Sequence, residues 1–268
     1  MRFYKLSGSG NDFVLLDGRG LSLSGDLADL VRRLCARRTG IGADGVLLLE
    51  PSDEADFRMR YLNSDGGEVE FCGNGGRCSA YMARRLGLAG ERMTFLAGDG
   101  PHKAEVTGSR VKLGMSDPRD ISLGFLLEVD GKGYAASFAD TGVPHVIIQV
   151  GDVEAADVVG LGRAVRHHHQ YRPRGTNANF VEAVDRHRLK VRTFERGVED
   201  ETLACGTGCT AAAVVAVLRG LADPPVECLT RGGEVLTVHM ERQGDRVQNV
   251  FLEGAVELVF EGEWEPGT

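Results

Sequence analysis

The sequence predicts an α+β protein of two pseudo-symmetric domains, each a largely antiparallel, barrel-like sheet wrapped on a buried central helix, with an interdomain cleft. Three observations predict it. Short alternating strand-like segments recur along the chain, two helical stretches each follow a Cys-Gly-x-Gly string, and the two strings lie 133 positions apart in 268 residues, almost half the length. A chain of this size suits one large domain or two ordinary ones.

In the first half, Arg32–Arg38 reads as helical and basic, and Val46–Glu50 as a strand. Phe57-Arg58-Met59-Arg60-Tyr61-Leu62-Asn63 alternates with period two and predicts another strand. Cys72-Gly73-Asn74-Gly75 then opens a stretch rich in Ala, Tyr, Met and Leu that stops at Gly87-Leu88. The second half repeats the order. Leu189–Arg196 alternates, Cys205-Gly206-Thr207-Gly208 follows, and the apolar run Ala211–Leu218 stops at Gly220-Leu221. Both terminal glycines stand 15 residues beyond their cysteine, as helices closed by a C′ glycine require. The second helix is apolar nearly all round and is predicted to be buried. Further back, Gly40–Val46 aligns with Gly175–Val181 at an offset of 135, and Gly10–Val14 with Gly142–Val146 at 132. The domains are placed at 1–117 and 118–258, joined near Asp117-Pro118. The strand within 259–268 joins the first half or the second.

Composition narrows the function. Hydrophobic residues at 42% and charged residues at 26% exclude a disordered chain, and a net charge of −8 argues against a nucleic-acid-binding surface. No apolar run approaches the roughly 20 residues that span a bilayer. The start, Met1-Arg2-Phe3-Tyr4-Lys5, lacks the apolar core of a secretory signal, so a cytoplasmic location is expected. Six cysteines in such a chain read as reduced thiols. There is no C-x-x-C, so no metal site is expected, and His167-His168-His169 reads as solvated surface.

Gly40-Ile41-Gly42-Ala43-Asp44-Gly45 satisfies the dinucleotide fingerprint, but a helix precedes it and a strand follows, the reverse of what a nucleotide fold needs. No phosphate loop is present, and no lysine stands in surroundings that mark a pyridoxal Schiff base. No cofactor is expected.

Cys72 and Cys205 remain. Each stands just ahead of a helix, where unpaired N–H groups and the helix dipole favour negative charge, which predicts a lowered thiol pKa and a reactive thiolate. The same N–H groups suit a substrate carboxylate. A thiolate on one side of a carbon and a thiol on the other would invert a stereocentre, one removing the proton and the other returning it. Singly, either cysteine reads as a small buried filler; paired at matching positions, they read as catalytic. Cys35, Cys78, Cys209 and Cys228 read as packing residues.

Gly8–Phe13, Gly40–Asp44, Phe71–Cys78, Glu195-Arg196-Gly197 and Thr202–Gly208 together resemble the diaminopimelate epimerase family of cofactor-independent amino-acid epimerases. The resemblance covers most of the chain. It implies interconversion of LL- and meso-2,6-diaminopimelate without cofactor or metal, a step toward lysine and cell-wall precursors, by a homodimer. By position, Cys72 would be the proton donor and Cys205 the acceptor. Gly73, Asn74, Gly206 and Thr207 would hold the carboxylate of the reacting end. Asn11, Asn63, Asn177, Glu195 and Arg196 would bind the other polar groups, and His145 and Glu195 would tune the cysteine pKa values. Read without the resemblance, Asn11 and Asn63 suit turns, Arg196 a surface pair and His145 a loop. Two departures stand out: Val143 replaces an asparagine that contacts substrate in many members, and Gly45 replaces a frequent glutamine. Two rivals stay open. One is a related racemase acting on proline, histidine or another amino acid; the other is a thiol redox or binding protein that uses a Cys72–Cys205 disulfide.

Overall fold

The computed structural model describes residues 1–21 and 26–265. Two compact units divide it: Met1–Leu113 together with the chain from Gly254 onward, and Gly114–Glu253. The breaks fall four or five residues before the 117/118 and 258/259 expected from sequence. At the first, the strand Arg119–Val129 already belongs to the second unit's ladder. At the second, Val256 is buried in the first unit's core and its N–H donates to Ser109 O at 2.8 Å.

Each unit is one curled sheet built on the same plan. In the first, the strands run Glu257–Glu263, Arg2–Gly8, Asn11–Asp17, Gly45–Glu50, Phe57–Asn63, Arg92–Ala97, Gly100–Thr107 and Arg110–Gly114. Successive pairs are antiparallel except for Asn11–Asp17 with Gly45–Glu50 and Phe57–Asn63 with Arg92–Ala97, which are parallel. In the second, the order is Arg119–Val129, Lys132–Asp140, Pro144–Gln149, Asn177–Ala183, Arg188–Glu195, Val226–Thr230, Val235–Gln243 and Arg246–Ala255. Parallel pairs occur at the same two places. The tail strand therefore returns to the first half, two residues earlier than its expected start; residues 266–268 of that expectation lie outside the described chain.

Parallel neighbours need a crossover, and helices provide all four. They are α1 (Leu27–Cys35), α2 (Gly73–Arg85), α3 (Val158–Arg166) and α4 (Gly206–Leu218). Strand alternation sorts them onto two faces. Phe13 and Leu15 pack in the core that holds α2, whereas Val14 and Leu16 pack with α1. In the second unit, Ile147 packs with α4, and Val146 and Ile148 with α3. A helix stands ahead of the G-x-G-x-x-G string and a strand follows it, the order read from the sequence. Every residue of α4 from Gly208 to Leu218 is buried. Each of its valines contributes roughly 1.5–3 kcal/mol of burial. None of the four helices is long and apolar enough to cross a membrane.

Candidate active site

Cys72 and Cys205 are the N-cap residues of α2 and α4. Both have extended backbone, φ −141° and −126°, and each accepts the first helical hydrogen bond, Gly76 N to Cys72 O at 2.7 Å and Cys209 N to Cys205 O at 2.9 Å. The glycines after each cysteine form the first helical turn itself rather than a turn leading into it. Neither helix has a side-chain cap, which leaves first-turn N–H groups available to an anion. The far ends match as well. Gly87 and Gly220 have φ of +70° and +69°, and Leu88 N donates to Ala83 O as Leu221 N donates to Ala216 O, both at 2.8 Å. These are Schellman closures, and glycine is what permits the left-handed residue.

Around Cys205, the Thr207 hydroxyl lies 3.6 Å from Sγ, and the Gly208 N–H also donates to the sulfur. The thiol is nevertheless pushed up to about 12, by burial first and by the Glu195 carboxylate second. The sequence expectation of a lowered pKa is overturned for this cysteine. The residue is only 7% exposed, and removing a thiolate from water outweighs what one helix start and two donors return. Glu195, at the end of its strand, is itself raised by burial, with the Thr202 hydroxyl opposing. Cys35, Cys78, Cys209 and Cys228 are buried, and none of the six cysteines is in a disulfide.

His145 is fully buried. Burial, with the nearby Arg196 charge, pulls it down to about 3, so the ring is neutral at pH 7. The unfolded chain takes up this proton below the ordinary value of 6.5, and the folded chain refuses it until about 3. The stabilising contribution is therefore complete above 6.5 and is lost as pH falls from there toward 3, at about 1.4 kcal/mol per pH unit. Urea unfolding across this range is expected to show a shallower pH dependence in His145→Asn than in the wild type.

The remaining predicted residues fall into two groups. In the first unit, Asn11 and Asn74 are tied to one another. Asn74 Nδ2 donates to Asn11 Oδ1 at 2.8 Å, and Asn11 Nδ2 donates to Asp44 Oδ2 at 2.9 Å. Asn74 Oδ1 accepts from the buried Arg77 guanidinium at 2.7 Å, which also donates to Ser9 Oγ. Both ends of the Asn74 side-chain amide are therefore engaged within the first unit. Asn63 sits at a strand end, half-buried, its backbone holding the turn to Gly67 and its side-chain amide making no hydrogen bond among the described residues. In the second unit, Asn177 Nδ2 donates to Pro144 O at 3.1 Å, while its Oδ1 accepts Arg196 N–H at 2.8 Å. Arg196 also reaches Arg174 O at 3.3 Å, and Thr207 O accepts from Thr141 Oγ1 at 3.0 Å.

Sequence reasoning missed Arg77, Thr141, Asn179 and Thr193. Arg77 had a legible signal, three residues after Asn74 on one helix face. The polar pair Asn177/Asn179 also had one, at strand spacing. The ladder corrects one alignment: Phe13 opposes Gly45 as His145 opposes Asn177, so the repeat runs at 132 here rather than 135. It also explains Gly45. A Cβ there would lie 2.5 Å from Tyr61 Cε2 and 2.4 Å from Leu62 O, so the ring of Tyr61 excludes any side chain. Val143 is half-buried and brings no polar side-chain atom. Among the described residues, no group of three or more metal-capable side chains is gathered.

Known proteins match this arrangement along the whole chain. A diaminopimelate epimerase from Aquifex aeolicus is 46% identical over 274 residues, covering 98% of this chain and 97% of that protein. One from Chlorobaculum tepidum is 42% identical over 261 residues, covering 96% and 98%. Among solved structures, a phenazine biosynthesis protein of the PhzF family from Bacillus anthracis superposes with a TM-score of 0.73 at 16% identity, covering 99% of both chains. A hydroxyproline epimerase from Agrobacterium vitis gives 0.64 at 16% identity, covering 98% of this chain and 91% of that one. These two show a shared fold. The family model for diaminopimelate epimerase matches residues 3–119 and 137–259, and with the relatives it establishes that the chain belongs to the diaminopimelate epimerase family.

Proposed function

We propose that the chain interconverts LL- and meso-diaminopimelate by inverting one α-carbon, with Cys72 and Cys205 serving that carbon from opposite sides. The observation that carries this reading is the twinned placement of the two cysteines as N-caps of equivalent crossover helices, in a chain of this family. In the direction from LL to meso, the Cys205 thiolate takes the α-proton, the electron pair remains on the carbon and its carboxylate, and the Cys72 thiol delivers its proton to the other face. Cys205 ends as a thiol and Cys72 as a thiolate, and the reverse reaction exchanges the roles.

The resting Cys205 thiol holds its proton, so that proton must pass to solvent water as the substrate binds. The substrate's α-ammonium supplies a positive charge that compensates the charge burial penalises. The first-turn N–H groups of α2 and α4, with Thr207, grip the carboxylate on which negative charge develops. Against a point charge each helix start is worth about 0.3–2 kcal/mol, while enzymatic acceleration represents roughly 8–23 kcal/mol. Fixed geometry and exclusion of water supply the remainder. Asn11, Asn63, Asn74, Asn177, Glu195 and Arg196 orient the substrate, and His145 and Glu195 set the charge balance around Cys205. The protein acts without cofactor or metal, as a homodimer in the cytoplasm; sedimentation equilibrium checks the dimer.

Incubating the reduced protein with LL-diaminopimelate in D2O tests the chemistry. Meso product carrying one deuterium at the inverted α-carbon is expected. Inversion without solvent deuterium, or no inversion of this substrate beside inversion of proline, would overturn the reading.

A further inference from the structure

The three central strands of each ladder can be superimposed residue for residue at an offset of 132. Leu47 opposes Tyr61 as Asn179 opposes Thr193, and Phe13 and His145 occupy the matching place on the neighbouring strand. Gly75 and Gly208, each three residues after its cysteine, are equivalent in the helices above. In the first unit these positions hold two apolar side chains, Phe13 and Leu47, and the ring of Tyr61. Phe13 meets Tyr61 edge-on with ring centroids 5.7 Å apart, and a Cβ on Gly75 would lie 3.0 Å from Leu47 Cδ2. In the second unit the trio is His145, Asn179 and Thr193, and a Cβ on Gly208 would lie 2.4 Å from Asn179 Oδ1. The first unit demonstrates that this architecture accepts apolar side chains, Phe13 and Leu47, at the places of His145 and Asn179. Polar ones in the second are costly to bury and are not demanded by packing.

Hydrogen bonds fix the trio in one state. Asn179 Nδ2 donates to Val146 O at 2.9 Å, and because a carbonyl only accepts, this identifies the amide's NH2 end. The same nitrogen lies 3.1 Å from His145 Nδ1, so Nδ1 accepts the second amide hydrogen and the ring proton resides on Nε2. Thr193 Oγ1 completes the set by donating to Asn179 Oδ1 at 2.9 Å. His145 Nε2 is buried and has no partner among the described residues. A buried N–H left without an acceptor calls for a reason.

We infer that Asn179 is a positioning residue that locks His145 as the Nε2–H tautomer, holding that N–H ready for the negative charge that develops beside Cys205 during proton transfer. The inference rests on the epimerase reading above, and Gly208 links the two, since its N–H donates to Cys205 and its α-carbon lies against Asn179.

Histidine-labelled protein in a long-range 15N–1H correlation tests it directly, with the His145 signals assigned by their loss in His145→Asn. The wild type at pH 7 is expected to show a pyridine-type Nδ1 and a pyrrole-type Nε2. An Nδ1–H tautomer or an imidazolium there would overturn the inference without any variant. Asn179→Leu imports the side chain found at the equivalent position 47. It is expected to fold, to give mixed His145 tautomers, and to lower kcat roughly 10- to 100-fold with KM little changed, the size of one lost buried hydrogen bond. Asn179→Asp offers a carboxylate to Nδ1 and is expected to move the ring proton there, with a similar fall in kcat. Either variant keeping a pure Nε2–H tautomer and wild-type kcat would overturn it; should Asn179→Leu not fold, the wild-type spectrum and Asn179→Asp decide. Failure here leaves an inactive Cys205→Ala and the epimerase reading intact, whereas an active Cys205→Ala overturns that reading and leaves the tautomer unchanged.

Discussion

Cys205→Ala is expected to abolish measurable inversion, lowering kcat by roughly 10²–10⁴-fold or more, the usual worth of a general base in place. Cys72→Ala should fall by a similar factor, but the two variants should differ in what survives. Without Cys72, the base that takes the proton of the LL isomer is intact, and nothing delivers a proton from the other side. Cys72→Ala is therefore expected to wash deuterium from D2O into LL-diaminopimelate while its configuration is retained. Cys205→Ala should exchange the inverted centre of the meso isomer in the same way and leave LL unlabelled. Mass and chiral analysis of recovered substrate separate the cases. If each variant exchanged both isomers equally, a two-base assignment would not hold. Alanine at either position removes little volume and leaves the N-cap backbone bond in place, so loss of fold is not the expected cause of inactivity.

Gly208→Ala is expected to destabilise the protein by about 2–4 kcal/mol, whereas Gly75→Ala should change stability by less than about 1 kcal/mol. Within a helix, alanine for glycine normally stabilises by about 1 kcal/mol. At Gly75 the new methyl would meet Leu47 Cδ2 at 3.0 Å, the far end of a side chain that can rotate away. At Gly208 it would meet Asn179 Oδ1 at 2.4 Å and Thr193 Oγ1 at 3.2 Å. Asn179 is held by three hydrogen bonds and is fully buried, so it cannot yield without breaking at least one of them. The Gly208 N–H also serves Cys205, so activity should fall along with stability. Urea denaturation of the two variants side by side checks the contrast, and equal stabilities would contradict the polar trio.

Much of this was legible in the sequence because the chain states its plan twice. The spacing from each cysteine to its terminal glycine, the alternation in Phe57–Asn63 and the apolar run Ala211–Leu218 are local signals, and local signals survive being read one residue at a time. The edges of the units were less legible, since they depend on which distant strand a segment joins; Val256 belongs with Ser109, a choice no local pattern encodes. The site was legible in its residue types and less so in its energetics. A cysteine before a helix suggests an acidic thiol, yet the balance at Cys205 is decided by burial and by Glu195, both of them tertiary. Asn179 lies within the repeated segment Gly175–Val181 and carries no local mark, because its meaning appears only beside Leu47 in the equivalent strand.

The pairing of Glu257–Glu263 with Arg2–Gly8 has a consequence for biosynthesis. The second unit is contiguous, so every strand of its ladder has been made once the ribosome passes residue 255. The first unit, though begun earlier than the second, lacks an edge strand until Glu257–Glu263 emerges, some 250 positions after the segment it must find. The common order, in which the N-terminal domain folds while the rest is being translated, is reversed. Until then, Arg2–Gly8 exposes a nascent edge, open to whatever other strand reaches it first.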